Sequence, residues 1–196
     1  MSRTAPPIAI RRLGAAEARA QRGALAAVLA ECVESGASVS YMPPFSHADA
    51  EVVFDEVVTE VEAGRRVLLA AFSGEALVGT VQVIVALPPN QPHRGEIVKL
   101  LVRGEARRCG VAAALMAHAE SEALLHGKTL LVLDTCVGGV AERLYARLGW
   151  TRAGVIPRYA LYPDGTPCDS VIFWKALQAS ADHAEADDGG NTAPQP

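Results

Sequence analysis

Stretches with helical spacing of apolar residues alternate along this chain with short apolar runs of strand character. Residues 8–13 read as a strand after a proline-containing arm, and residues 15–34 as one Ala/Leu-rich helix that ends at Gly36. Pro43 and Pro44 keep residues 37–46 out of a helix. Ser46 is a natural N-cap for a helix over 47–63, where Val53, Val57 and Val61 recur at every fourth position with Phe54 and Val58 beside them. Strands over 66–72 and 76–87, joined by Ser73-Gly74-Glu75, form a predicted hairpin. A proline-rich loop over 88–94 leads into a strand over 95–102. A helix over 112–126, a strand over 129–135 and a helix over 139–148 follow. The last strands are expected at 150–156 and 169–177, separated by a loop over 157–167 with a Pro163-Asp164-Gly165 turn. The order β-α-α-β-β-β-α-β-α-β-β predicts a mixed α/β domain over residues 8–178, with a central twisted sheet flanked by helices. Residues 1–7 are read as a flexible arm and 179–196 as a disordered acidic tail.

Charge sharpens this picture. The chain of 196 residues has a formal net charge of −4. The segment 179–196 contains Asp182, Glu185, Asp187 and Asp188 and no lysine or arginine, so the folded part is neutral. A neutral domain argues against broad nucleic-acid binding, which needs a basic excess. Residues 1–10 lack the apolar run of a secretory signal, and nothing is long and apolar enough to cross a membrane. The four cysteines, Cys32, Cys109, Cys136 and Cys168, form no C-x-x-C pair and have no histidine at metal-ligand spacing. Neither a disulfide framework nor a metal site is expected, and a reducing cytoplasm is the simplest compartment.

The strongest local signal is the stretch from Lys99 to Ala112, KLLVRGEARRCGVA. It joins the end of an apolar strand to the start of an apolar helix through a basic loop with the spacing R-x-x-G-x-A at Arg107, Gly110 and Ala112. A helix N-terminus carries free N–H groups and partial positive charge, and small residues let a phosphate approach the backbone. Arg107, Arg108, Cys109, Gly110, Val111 and Ala112 therefore read as a pyrophosphate cradle, with Arg103 adding a third guanidinium.

The element order and four local features together resemble the GNAT superfamily of acetyl-CoA-dependent N-acetyltransferases. Those features are the strand Glu96–Val102, the R-x-x-G-x-A loop, the strand ending Leu133-Asp134, and the run AERLYARLGW over 141–150. The resemblance implies a splayed central sheet, acetyl-CoA as co-substrate and no metal. It also departs from the family pattern: Arg108 stands where glycine is frequent, and Gly104 where proline is common. By resemblance, Leu100, Leu101 and Val102 line the pantetheine arm, and the Val102 N–H polarises the thioester carbonyl. Ala141 leaves room for the cofactor, and Tyr145 contacts it and protonates the departing thiolate. Glu96 and Asp134 are the candidate proton acceptors. Taken alone, Leu100–Val102 reads as sheet core, Tyr145 reads better as helix core than as a cofactor contact, Glu96 as a solvent-facing strand start and Asp134 as an N-cap or turn residue.

Segments 36–42, 133–135 and 159–165 further resemble the tabtoxin-resistance acetyltransferases, which act on a β-lactam toxin. In the GNAT fold that the chain resembles, Ser38, Tyr41, Met42, Tyr159 and Tyr162 lie on loops that flank the acceptor side. The expected function is direct acetyl transfer to an amine or hydroxyl of a small molecule. A non-catalytic acyl-CoA sensor and a protein or peptide acetyltransferase are the alternatives. A homodimer, frequent in that superfamily, is left open.

Overall fold

Two apolar faces of one sheet organise the domain, and a break in that sheet positions its chemistry. The computed structural model describes residues 7–178, so the segment read as an acidic tail and all but the last residue of the arm lie outside the described residues. The strands are β1 (Ile8–Arg12), β2 (Arg66–Ser73), β3 (Ala76–Ile84), β4 (Arg94–Val102), β5 (Leu130–Cys136), β6 (Thr151–Leu161) and β7 (Pro167–Ala176). The helices are α1 (Ala15–Ala20), α2 (Arg22–Glu34), α3 (His47–Glu62), α4 (Val111–Leu125) and α5 (Val140–Arg147). The seven strands lie in the order β1-β2-β3-β4-β5-β7-β6. Every neighbouring pair is antiparallel except β4 and β5.

Alternation along β2 divides the core. Val67, Leu69 and Ala71 face α4 and α5, where Leu115, Met116, Ala119 and Tyr145 are buried. Leu68, Ala70 and Phe72 face α1–α3, where Leu25, Leu29, Phe54 and Val58 are buried. The α3 cap follows its sequence. Ser46 Oγ accepts the Asp49 N–H at 3.1 Å, and the Asp49 carboxylate accepts the Ser46 N–H at 2.8 Å.

Three expectations are corrected. The helix expected over 15–34 is two helices with a break at Gln21, and Arg22 at the start of α2 pairs with Glu51 and Asp55 of α3. The expected loop over 157–167 is strand as far as Leu161. As the sheet's outer edge, β6 tolerates Pro157, and the register slips between Ile156 and Ala160, where Arg158 adopts φ 53° and donates its N–H to Asp169. Lastly, Cys136 and Cys168 are disulfide-bonded. The β5–β7 register sets Cys136 opposite Ser170, two residues from Cys168, and the two cysteine Cα atoms are 6.0 Å apart. A separation of 32 residues hides that pairing in the sequence.

Candidate active site

The parallel pairing of β4 with β5 lasts for three residue pairs, Arg94–Leu130, Gly95–Leu131 and Glu96–Val132. Beyond Glu96, β4 stays with β3 and β5 stays with β7, so the two strands part into a wedge. A bulge in β4 bends it away from β5. Val81 of β3 faces two residues of β4, Lys99 and Leu100, and Lys99 adopts φ 53°.

The wedge exposes backbone donors. Arg103 donates its N–H to Val78 O at 2.9 Å, which makes the adjoining Gly79–Val102 pair the non-hydrogen-bonded kind. The Val102 N–H and C=O therefore point away from β3, into the wedge. The carbonyl accepts Arg107 Nε at 3.1 Å, whereas the N–H has no strand partner on that side. The side chains of Leu100 and Val102 pack toward α4, while Leu101 is buried beneath α2.

After β4 the chain makes a single 3-10 turn, Gly104–Ala106, and reaches the N-terminus of α4 at Gly110. Arg108 and Gly110 both have positive φ, 64° and 80°. This alternation turns successive N–H groups toward one side, a concavity suited to an anion. No side chain caps α4, so the Val111 and Ala112 N–H groups stay free. The glycine preference noted at position 108 now has a cause: the residue is left-handed, and Arg108 bears the conformational cost.

The other departure, Gly104, is explained by Glu31 of α2. Glu31 Oε1 accepts the Gly104 N–H at 2.7 Å, a bond proline could not make, and Oε2 accepts Arg103 Nε at 2.8 Å. The Gly104 bond, aided by Arg103 against the opposing cost of burial, holds the Glu31 carboxyl below the ordinary glutamate value. Arg103 Nε is thus engaged by Glu31 and Arg107 Nε by the Val102 carbonyl, and no hydrogen bond engages the Nη groups of Arg107 among the described residues. Cys109 is exposed in the loop.

On the α5 side, Ala141 lies one turn before Tyr145 and packs on the same core. Tyr145 is 5% exposed, with Trp150 and Phe173 at ring-centroid distances of 6.0 and 5.9 Å. Burial and then the Asp134 charge push its phenol well above the ordinary tyrosine value. It stays protonated at neutral pH and is a donor rather than a base.

Glu96 and Asp134 share the sheet face opposite Tyr145, but they are not level. Glu96 pairs with Val132, so Asp134 stands two residues further along, level with Val98 across the wedge. Arg94 Nη1 donates to Glu96 Oε1 at 2.6 Å, and Arg94 is itself held by Gln91. Asp134 is exposed, and its charge acts on both Tyr145 and Lys99.

The acceptor-side residues are brought together only in part. Ser38 Oγ donates to Leu161 O at 2.8 Å, tying the α2–α3 loop to β6. Tyr41 is half-buried and stacks on Phe45 at 4.7 Å. Met42 and Tyr159 are 42% and 55% exposed. Lys99, which the sequence reading passed over, joins the α2–α3 loop to the wedge: its Nζ donates to Val39 O at 2.7 Å and Ser40 Oγ at 2.8 Å. The available signal was a lysine inside the apolar run IVKLLV. Glu31 gave none, since it lies on a helix 73 residues before Gly104.

Known proteins share this architecture. The ribosomal-protein-alanine N-acetyltransferase of Brucella melitensis is 21% identical, with a TM-score of 0.73 over 86% of this chain and 99% of its own. The yncA protein of Salmonella typhimurium, solved with its cofactor acetyl-CoA, is 19% identical, with a TM-score of 0.71 over 93% and 99%. An aminoglycoside 6'-acetyltransferase type Ii is 18% identical, with a TM-score of 0.65 over 88% and 99%. The sequence profile of the acetyltransferase (GNAT) family matches residues 25–150. With that match spanning most of the sequence and the splayed sheet in place, the chain belongs to the GNAT family of acetyltransferases.

Proposed function

We propose that this protein moves an acetyl group directly from acetyl-CoA to an amine of a small-molecule acceptor. The observation that carries the reading is the wedge that opens beyond Glu96 and Val132, with an N–H turned into it at Val102. The residues fit the co-substrate: the left-handed turns at Arg108 and Gly110 and the uncapped N-terminus of α4 suit a pyrophosphate, and the strand edge of Leu100–Val102 suits an extended pantetheine arm. When bound, acetyl-CoA supplies the activated acyl group and a thiolate leaving group.

In this reading the Val102 N–H binds the thioester oxygen and stabilises the negative charge that grows there. Asp134, exposed at the open end of the wedge, draws an ammonium in and accepts its proton directly or through water. Glu96, steadied by Arg94, supports it from two positions earlier. Tyr145 gives its hydroxyl proton to the departing sulfur, so that CoA leaves as the thiol, and the phenolate recovers the proton released by the amine. Holding amine and carbonyl together in the wedge supplies much of the rate. The α2–α3 loop and the β6–β7 hairpin border the acceptor, and the resemblance to tabtoxin-resistance acetyltransferases makes a toxin-like amino acid the favoured class.

Thermal unfolding with and without acetyl-CoA tests the reading. Saturation at 100 times Kd adds about 2.7 kcal/mol, or roughly 5–11 °C in Tm for a chain of this size. Gly110→Asp, which sets a carboxylate in the cradle, abolishes the shift. No shift in the native sequence at millimolar acetyl-CoA would sink the assignment.

A further inference from the structure

A small cavity of about 20 Å³ lies on the α1–α3 side of the sheet, beside the wedge. Its polar lining is cationic. Arg66 from β2 and Lys99 from the β4 bulge face it, together with Gln82 and Tyr41. Arg66 Nη1 donates to Gln82 Oε1, and Gln82 is 1% exposed. Arg66 Nε is fully enclosed and has no hydrogen-bond partner. Lys99 Nζ lies 5.1 Å from the Tyr41 ring centre, and its two hydrogen bonds leave its third proton uncommitted. Among the described residues neither cation has a carboxylate within ion-pair distance. Glu56 and Glu60 of α3 act on Arg66 only through space, and Glu60 is held by Arg65.

Two cations beside one small space, one of them with an unpartnered guanidinium N–H, favour an anion there. Burial, then the Arg66 charge, brings the Lys99 ammonium down to about 8, and the Asp134 charge offsets this only in part. The space is small, so only a compact planar head such as a carboxylate, with some give of the half-buried Lys99 and Tyr41 side chains, fits beside the two cations. Position supplies the link to chemistry. Lys99 follows Val98, which the strand register sets level with Asp134 across the wedge.

We propose that Arg66 and Lys99 form a carboxylate subsite for the acceptor, so that the preferred substrate carries a carboxylate at one end and the reacting amine at the other. The Arg66 guanidinium and a Lys99 N–H donate to the carboxylate oxygens, and the chain of the acceptor runs past Val98 toward Asp134. This deepens the acetyltransferase reading and rests on it for the role of the wedge.

The test uses pentanoate, 5-aminopentanoate and pentylamine as probes of the full chain, read by saturation-transfer NMR and by the Arg66 Nε–H resonance. Both carboxylates bind the native protein and shift that resonance, while pentylamine does not. Arg66→Met loses carboxylate binding by about 10- to 100-fold and keeps its thermal response to acetyl-CoA. Should Arg66→Met fold poorly, the resonance shift in the native protein decides the matter. Equal binding of pentylamine and pentanoate, no shift of the Arg66 signal, or undiminished binding in a folded Arg66→Met would each overturn the subsite. Carboxylate binding in a protein that gives no acetyl-CoA response would leave the subsite standing and remove the transferase reading.

Discussion

Glu31 offers the clearest test of how the cofactor loop is held. Its carboxylate takes the Gly104 N–H and the Arg103 guanidinium at 2.7 and 2.8 Å, fastening α2 to the turn between β4 and α4. A hydrogen bond to a charged group contributes about 1.5–3 kcal/mol net, and a partly exposed ion pair adds about 0.2–1 kcal/mol. Glu31→Ala should therefore destabilise the fold by about 2–3 kcal/mol, lowering Tm by roughly 4–12 °C. It should also weaken acetyl-CoA binding, because the turn that presents Gly110 and α4 loses its brace. Glu31→Gln keeps the shape and discards the charge, so its cost is smaller. The sign with pH follows from the lowered Glu31 pKa. The carboxylate's contribution is present in full above the unfolded glutamate pKa of about 4.3, and it is lost as pH falls through the lower folded value. Native and Glu31→Gln proteins should thus differ by a constant amount from pH 6 to 8 and converge in acid. Calorimetry across that range reads both effects. An unchanged Tm in Glu31→Ala, or a gap between native and Gln proteins that widens in acid, would refute the reasoning.

Tyr145→Phe keeps the buried ring and removes the proton donor. It should lower kcat by about 100-fold or more while the acetyl-CoA Kd stays within twofold, as steady-state kinetics and calorimetry would show. Gly110→Ala adds a Cβ that meets nothing within 4 Å, so its cost comes from the backbone at φ 80°. It should amount to about 1–2 kcal/mol, visible in a denaturant midpoint. Cys32 and Cys109 are free while Cys136 and Cys168 are bonded, so thiol titration of the unfolded, unreduced protein should count two thiols. Four would show the bond absent.

The sequence by itself determined much of the scaffold. Periodicity placed each strand and all but one of the helix divisions, because a buried face imposes its repeat on every element that contributes to it. The basic R-x-x-G-x-A loop and the AERLYARLGW run were legible because a turn and a helix start are local events, written in adjacent residues. What only the tertiary structure decided depends on partners far apart in the chain. Nothing near Gly104 announces that its N–H caps a carboxylate on α2. The wedge comes from a bulge at Lys99, whose left-handed backbone is held by packing and by bonds to residues 39 and 40. Glu96 and Asp134 are set on one face, two positions out of step, by a strand register that neither segment encodes alone. The Arg66–Lys99 cavity joins β2, β4 and the α2–α3 loop, and the Cys136–Cys168 bond joins β5 to β7. Local sequence biases one segment's backbone at a time, whereas a cavity, a cross-link or a splayed sheet exists only once separate segments have packed.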